Sequence, residues 1–136
     1  MNISCAQGSK MTVNQKIYVI QEHHASHLHW DLRLELNGVL KSWAIPKEPP
    51  MEENVKRLAI AVEDHQLDYA VFEGAIPEGL YGAGEVTIWD KGTFDLQEIQ
   101  DKRIIIKING EKLKGEYCLL KTNFQKNSWL FFKKKT

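Results

Sequence analysis

Hydrophobic and polar positions in this chain alternate over short runs, and nowhere do they recur at the three-and-four spacing of a long amphipathic helix. The clearest run is His29-Trp30-Asp31-Leu32-Arg33-Leu34-Glu35-Leu36. Period-two geometry puts His29, Asp31, Arg33 and Glu35 on one face of a strand and Trp30, Leu32, Leu34 and Leu36 on the other. Asn37-Gly38 follows, a hairpin cue because both residues tolerate positive φ. A two-residue turn there pairs Leu36 with Val39 and sets Asp31 opposite Ala44 and Arg33 opposite Ser42. Asn109-Gly110 repeats the cue, and Lys91-Gly92 is a weaker version of it. The pattern predicts strands over residues 16–21, 28–36, 39–45, 58–63, 85–90, 93–97, 103–108, 116–121 and 128–133. Short helical turns are expected near 52–56 and 67–72, and loops at 46–50 and 76–84. Many short strands at even spacing imply a mainly all-β fold: a small closed or nearly closed β-barrel of about eight antiparallel strands.

Composition sharpens this without redirecting it. The chain has 136 residues, 43% hydrophobic and 26% charged, which suits one compact domain and not a disordered segment. Residues 16–136 read as that domain and 1–15 as an N-terminal arm with no clear pattern. No apolar stretch approaches the roughly 20 residues of a membrane span, and the first residues lack the apolar run of a signal peptide. Cys5 and Cys118 form no metal or disulfide pattern, so reduced thiols and a cytoplasmic location are expected. Net charge is zero, which excludes a protein that coats nucleic acid by bulk positive charge. Residues 102–136 nevertheless hold 10 Lys/Arg against 2 Asp/Glu, leaving 8 basic and 16 acidic residues in 1–101. A basic tail of this kind suits an anionic partner, or Lys that keeps exposed strands from aggregating.

Candidate chemistry concentrates in one segment. Four of the five histidines, His23, His24, His27 and His29, fall within seven residues. Imidazole plus carboxylate in His29-x-Asp31 offers two ligands to a divalent transition metal, and His23 can supply a third, with His24 and His27 as solvent-exposed spares. Arg33, one repeat further along the same face, would meet the oxygens of a phosphate through its planar fork. Small neighbours, Ser42 and Ala44, leave room above that face. In a second segment, 57–65, strand geometry places Glu63 and His65 together and Ile60 and Val62 toward the core. His65 could donate to a phosphate or protonate a leaving oxygen, a role suited to a group that titrates near neutrality, and Tyr69 could add a hydroxyl donor. An internally bonded polar face, with Asp31 and Arg33 as an ion pair and no metal, is the plain alternative.

The run from Val19 through Glu35, with Gln21-Glu22-His23-His24 and His29-Trp30-Asp31-Leu32-Arg33 at its centre, resembles the signature of the 3′-phosphoesterase domain of bacterial DNA ligase D and its stand-alone bacterial and archaeal relatives. The resemblance continues through 37–47, through Val62-Glu63-Asp64-His65-Gln66-Leu67-Asp68-Tyr69, and through Phe72-Glu73-Gly74-Ala75-Ile76-Pro77-Glu78-Gly79. It extends over Tyr81-Gly82-Ala83-Gly84 and Gly115-Glu116-Tyr117 to Trp129-Leu130. It implies a small β-barrel that trims DNA 3′ ends in break repair with Mn²⁺ or a similar divalent metal such as Co²⁺ or Zn²⁺. Two activities are implied: release of a terminal ribonucleoside to leave a 3′-phosphate, and conversion of that phosphate to a 3′-hydroxyl. The match makes His23, His29 and Asp31 metal ligands, puts Arg33 and His65 on the scissile phosphate, and has Tyr69 line the site. Gln21 and Glu63 would orient these groups, and Lys47 and Arg57 would engage the 3′-terminal nucleotide. Separate ligase, polymerase and Ku proteins are the implied partners. The family's N-terminal arm, with its Arg and acidic residues, has no evident equivalent in residues 1–15.

Two rival readings remain open from the residues alone. An iron(II) oxygenase could use His29, Asp31 and His65 as its metal triad. A non-catalytic DNA-end-binding module could use the Lys-rich tail as its footprint.

Overall fold

The computed structural model describes residues 15–135; the expectations for Cys5 and for all of the 1–15 arm but Gln15 lie outside them, and Gln15 opens the first strand. Among the described residues nine strands form, all paired antiparallel: β1 (Gln15–His24), β2 (Leu28–Leu36), β3 (Val39–Ile45), β4 (Lys56–His65), β5 (Gly74–Ile76), β6 (Gly84–Gln100), β7 (Arg103–Gly110), β8 (Lys114–Lys121) and β9 (Ser128–Lys133). Their order is β1-β2-β3-β4-β9-β8-β7-β6, and β6 pairs back onto β1 to close an eight-stranded barrel, with β5 added on β6. No helix among the described residues is long and apolar enough to cross a membrane.

The β2–β3 hairpin forms in the register read from its sequence, Leu36 opposite Val39, Arg33 opposite Ser42 and Asp31 opposite Ala44. Asn37 and Gly38 take φ of 54° and 80°, the paired left-handed turn that matches the twist of the strands. Leu32, Leu34 and Leu36 turn inward with Tyr18, Ile20, Trp43, Phe94, Ile106, Tyr117, Trp129 and Phe131 to fill the barrel. Cys118 is buried as well, and burial raises its thiol pKa, which suits a packing role.

Several expectations are corrected. Residues 85–97 are one continuous strand, not two around Lys91-Gly92. Gly92 pairs with Tyr18 on one side and Gly110 on the other, where a Cβ would collide with the carbonyl of Asn109, so glycine there serves close approach and not a turn. At the β7–β8 connection the turn lies beyond Asn109-Gly110, closed by the Gly110 N–H donating to Leu113 O at 2.9 Å. The buried Asp90 carboxylate organises that turn, accepting from the N–H groups of Glu111, Lys112 and Leu113 at 2.9 Å each and from Tyr18 Oη at 2.7 Å. Gly110 has no side chain because a Cβ would meet that carboxylate and the Tyr18 ring.

Only one of the two helical turns forms, a 3₁₀ turn η1 over Leu67–Val71. Residues 52–56 hold instead a bridge from Glu53 to Lys133 and a left-handed Asn54. In β4 the core positions are Ala59 and Ala61, opposite Trp129 and Trp43, and not Ile60 and Val62. The two indoles meet edge to face at 5.9 Å, which leaves space only for alanine beneath them. Ile60 and Val62 therefore fall on the outer face, with Val62 36% exposed.

Candidate metal-binding active site

Outer faces of barrels are usually wet, yet Gln21, His23, Asp31, Arg33 and Ser42 on the outside of β1–β3 are all buried. A second small apolar cluster explains this. Val19, Leu40 and Ala70, with Ile17, Leu67, Tyr69 and Ile88 against them, pack η1 onto the outside of the wall. Gln21 Nε2 pins it further by donating to the carbonyls of Tyr69 at 2.8 Å and Phe72 at 3.2 Å. The result is a cavity of about 510 Å³ with Asp31 and Arg33 among its lining residues and His23, His29, His65, Tyr69, Tyr81 and Ala83 around it.

Three donor atoms converge there. His23 Nδ1 and His29 Nε2 are 3.2 Å apart, His29 Nε2 lies 3.3 Å from Asp31 Oδ2, and His23 Nδ1 lies 3.6 Å from the same oxygen. Donors about 2.1 Å from one ion at tetrahedral to octahedral angles are themselves roughly 3.0–3.4 Å apart. With two sides inside that range and the third at 3.6 Å, the triangle can hold a divalent transition metal. Tautomers agree with the distances. His23 Nε2 donates to Ala83 O at 3.1 Å and His29 Nδ1 to His27 O at 3.0 Å, which leaves a lone pair on each inward nitrogen. Two lone pairs facing each other across a carboxylate invite a cation. Without one, the vicinity of Asp31 raises the pKa of His29, chiefly through their hydrogen bond. Burial pushes the Asp31 carboxyl up, but His29, Arg33 and His23 together overcome that and hold it below its ordinary range.

Arg33 lies beside the triangle. Its Nε donates to Gln21 Oε1 at 2.5 Å, and its Nη1 donates to Ser42 Oγ at 2.8 Å and reaches His65 Nδ1 at 3.2 Å. Among the described residues Nη2 touches only Asp31 Oδ2, at 3.5 Å, so hydrogen-bonding capacity remains at the end of the fork. The guanidinium also sits 4.9 Å over the Tyr69 ring. A bulge between the Ser42–Val62 and Leu40–His65 pairs turns His65 onto this face. His65 Nδ1 lies 3.2 Å from both Arg33 Nη1 and the Glu63 carbonyl, so it accepts from the guanidinium in one tautomer and donates to the carbonyl in the other. Burial, then the charge of Arg33, lowers the His65 pKa and keeps the ring neutral near pH 7.

The DNA ligase D 3′-phosphoesterase domain family matches residues 21–121. Curated relatives agree: the chain is 50% identical over 117 residues to the multifunctional non-homologous end joining DNA repair protein LigD of Mycobacterium tuberculosis H37Rv, covering 83% of this chain and 15% of that protein. It is 50% identical over 125 residues to the LigD of Pseudomonas aeruginosa, covering 87% and 15%. Against the LigD of Mycolicibacterium smegmatis identity is 42% over 130 residues, covering 88% and 17%. The chain belongs to the DNA ligase D 3′-phosphoesterase domain family. It spans about one-sixth or less of the length of these relatives.

Within this 3′-phosphoesterase domain the structure brings together His23, His29, Asp31, Arg33, Gln21, His65 and Tyr69, seven of the ten residues singled out from the sequence. Three stand apart. Glu63 is exposed and does not line the cavity, because the bulge breaks the alternation that would keep it beside His65; its carbonyl lies 3.2 Å from His65 Nδ1. Arg57 donates through Nε to Glu48 O at 2.7 Å, holding the 46–50 loop that carries the exposed Lys47, and neither lines the cavity. No Lys or Arg of the basic tail lines it either. The oxygenase triad is not assembled, since His65 faces Arg33 and the third donor of the triangle is His23. Sequence reasoning treated Ser42 only as a small neighbour and missed its bond to Arg33, which the hairpin register already placed opposite it. The Ala83 and His27 carbonyls that orient the two imidazoles left no signal in side-chain chemistry.

Proposed function

We propose that this domain is a divalent-metal-dependent DNA 3′-phosphoesterase acting in non-homologous end joining, which converts 3′-phosphate ends to 3′-hydroxyls and removes a 3′-terminal ribonucleoside. The observation that carries the reading is the triangle of His23 Nδ1, His29 Nε2 and Asp31 Oδ2 with the free end of the Arg33 fork beside it. His23, His29 and Asp31 would hold the metal, and Mn²⁺, Co²⁺ and Zn²⁺ all suit two imidazoles and a carboxylate. Bound there, the ion supplies Lewis-acid polarisation of a phosphoryl oxygen.

This chain's residues supply the rest. Arg33, fixed by Gln21 and Ser42, gives N–H groups and positive charge to the phosphoryl oxygens as charge develops on them. His65, a neutral ring beside Arg33, would hydrogen-bond the phosphate or the leaving oxygen, and the proton that oxygen gains comes from solvent. Tyr69 walls the phosphate site and holds the Arg33 guanidinium over its ring. Membership in the family and the names of its relatives support the end-joining context. The freed 3′-hydroxyl is what a ligase or polymerase then extends or seals, with Ku as a further partner at the break.

The test is phosphate release from a DNA strand ending in a 3′-phosphate, with Mn²⁺ present. Turnover by the wild type and background-level turnover by His29→Ala are expected. Equal, background-level signals from both would sink the reading in favour of a DNA-end-binding module. A strand ending in one ribonucleotide, assayed in parallel, reports the second activity.

A further inference from the structure

The loop between β5 and β6 exposes two large apolar side chains, Leu80 at 60% and Tyr81 at 73%. Burial would ordinarily claim such groups, and here the backbone prevents it. Two tight turns follow one another: the Leu80 N–H donates to Pro77 O at 3.3 Å and the Ala83 N–H to Leu80 O at 3.1 Å. Their third residues, Gly79 and Gly82, take φ of 90° and 78°, the left-handed conformation that glycine adopts without strain. Tyr81 thus occupies the second position of the second turn, at its apex. The loop is tied to the metal-ligand set by the Ala83 carbonyl, which accepts from His23 Nε2. Gly84 brings it against the 24–26 segment, where a Cβ would strike the carbonyl of His24.

Tyr81 is solvent-exposed and yet lines the cavity that contains Asp31, Arg33 and His65. The ring of the other tyrosine of that cavity is already engaged by three neighbours. Tyr69 stacks on Phe72 at 5.0 Å and 14°, carries the Arg33 guanidinium at 4.9 Å, and tilts against His65 at 4.7 Å. Among the described residues no ring or cation packs on Tyr81. A strand end whose phosphate reaches Arg33 carries a nucleobase that needs a place outside the phosphate site. The aromatic face available on the lip of that site is Tyr81.

We propose that Tyr81 is a stacking platform for the nucleobase at the 3′ end of the bound strand, held out by the Pro77–Ala83 double turn. This deepens the phosphoesterase reading and rests on it. Stacking on a phenol ring is tolerant of base identity, so the platform lets the site take any terminal base at similar efficiency.

The test uses a DNA strand with 2-aminopurine as its 3′-terminal base and a 3′-phosphate, titrated with the domain without added divalent metal so that binding is read without turnover. Wild type and Tyr81→Phe are expected to quench the fluorophore, and Tyr81→Ala is not. In Mn²⁺-supported phosphate release, Tyr81→Ala is expected to raise KM roughly tenfold with kcat little changed. An abasic 3′-terminal sugar should cost the wild type the same factor and Tyr81→Ala nothing more. Phe124→Ala, which removes an aromatic 77% exposed and outside the cavity, should match wild type. Equal quenching by wild type and Tyr81→Ala, no quenching by wild type at saturating protein, or Tyr81→Phe behaving as Tyr81→Ala would each overturn the platform. Absence of phosphate release by wild type would overturn the phosphoesterase reading instead, with the fluorescence titration still deciding the platform.

Discussion

Asp31 and Asp90 are both buried carboxylates, 5% and 2% exposed, on strands that β1 joins. Their surroundings differ in kind. Asp90 accepts four hydrogen bonds of 2.7–2.9 Å, three of them from consecutive main-chain N–H groups of one turn. Its demand is met and nothing further can approach. Asp31 faces two ring nitrogens at 3.3 and 3.6 Å and a guanidinium nitrogen at 3.5 Å, all longer than a charge-assisted hydrogen bond, beside an open cavity. Burying a carboxylate costs several kcal/mol unless it is paired and bonded. Asp90 meets that cost within a closed turn, whereas Asp31 meets it through two imidazoles and a guanidinium that border a cavity, partners a bound cation would share.

The comparison breaks if Asp31→Asn behaves like a change at Asp90. Replacing Asp31 by Asn removes the charged member of the triangle and should cut Mn²⁺-supported phosphate release by about 10³-fold. Its melting temperature should move less than that of Asp90→Ala. Isothermal titration with Mn²⁺ and a thermal melt of the same sample separate the two effects. A large loss of stability with metal binding intact would make Asp31 a second structural carboxylate.

Arg33→Lys sharpens the functional side. Lysine keeps the charge but loses the fork that Gln21, Ser42 and the phosphate share. Phosphate release should fall about 100-fold while the Mn²⁺ titration changes little, because Arg33 holds Asp31 only through one 3.5 Å contact. Equal losses of turnover and metal affinity would assign Arg33 to an ion pair with Asp31.

Asp90→Ala acts on the other side. It strands the Tyr18 hydroxyl and the Leu113 N–H in the interior and costs about 3 kcal/mol, or roughly 10 °C in melting temperature. Specific activity of the folded fraction at low temperature should stay near wild type. A matching loss of activity would show that the β7–β8 turn shapes the site through β6 and β1.

The two carboxylates also differ in how far they could be read in advance. Asp31 sits in an uninterrupted alternation closed by Asn37-Gly38, so its face, its neighbours His29 and Arg33 and its partner across the hairpin all follow from local geometry. The histidine cluster and the family resemblance add His23. Asp90 carries no local mark. Its partners are 72 residues before it and 21 to 23 after it, in a turn that its own oxygens organise. For the same reason Asn109-Gly110 predicts a turn that forms only beyond it, and Lys91-Gly92 predicts one where β6 runs on. A glycine that makes room for another chain segment looks in sequence like one that bends its own. The cover that η1 provides over Gln21 and Arg33 likewise depends on contacts between distant segments, and so does the alanine pair beneath Trp43 and Trp129. Periodicity sees which face a residue takes on its own strand, but not what another strand lays across it.

Tyr18 yields the smallest effect and the one with a defined sign in pH. Burial first, then the charge of Asp90, raises its pKa well above that of an ordinary phenol. The folded state keeps this proton where the unfolded chain loses it, near pH 10. The hydroxyl's contribution is therefore fully present below about pH 10 and is lost as pH rises through the folded value. Tyr18→Phe should cost about 1 kcal/mol at pH 8, read as a shift in the urea midpoint. Above about pH 10 the gap between wild type and variant should narrow, since phenylalanine has no proton to lose. The variant should still lose some stability in alkali, because burial also raises Tyr117 and Tyr69. A gap that holds constant from pH 8 to about pH 11 would mean that the fold does not retain the Tyr18 proton. Asp90 would then be held by its three main-chain donors alone, and the saturation that sets it apart from Asp31 would be a property of one turn and not of the barrel wall.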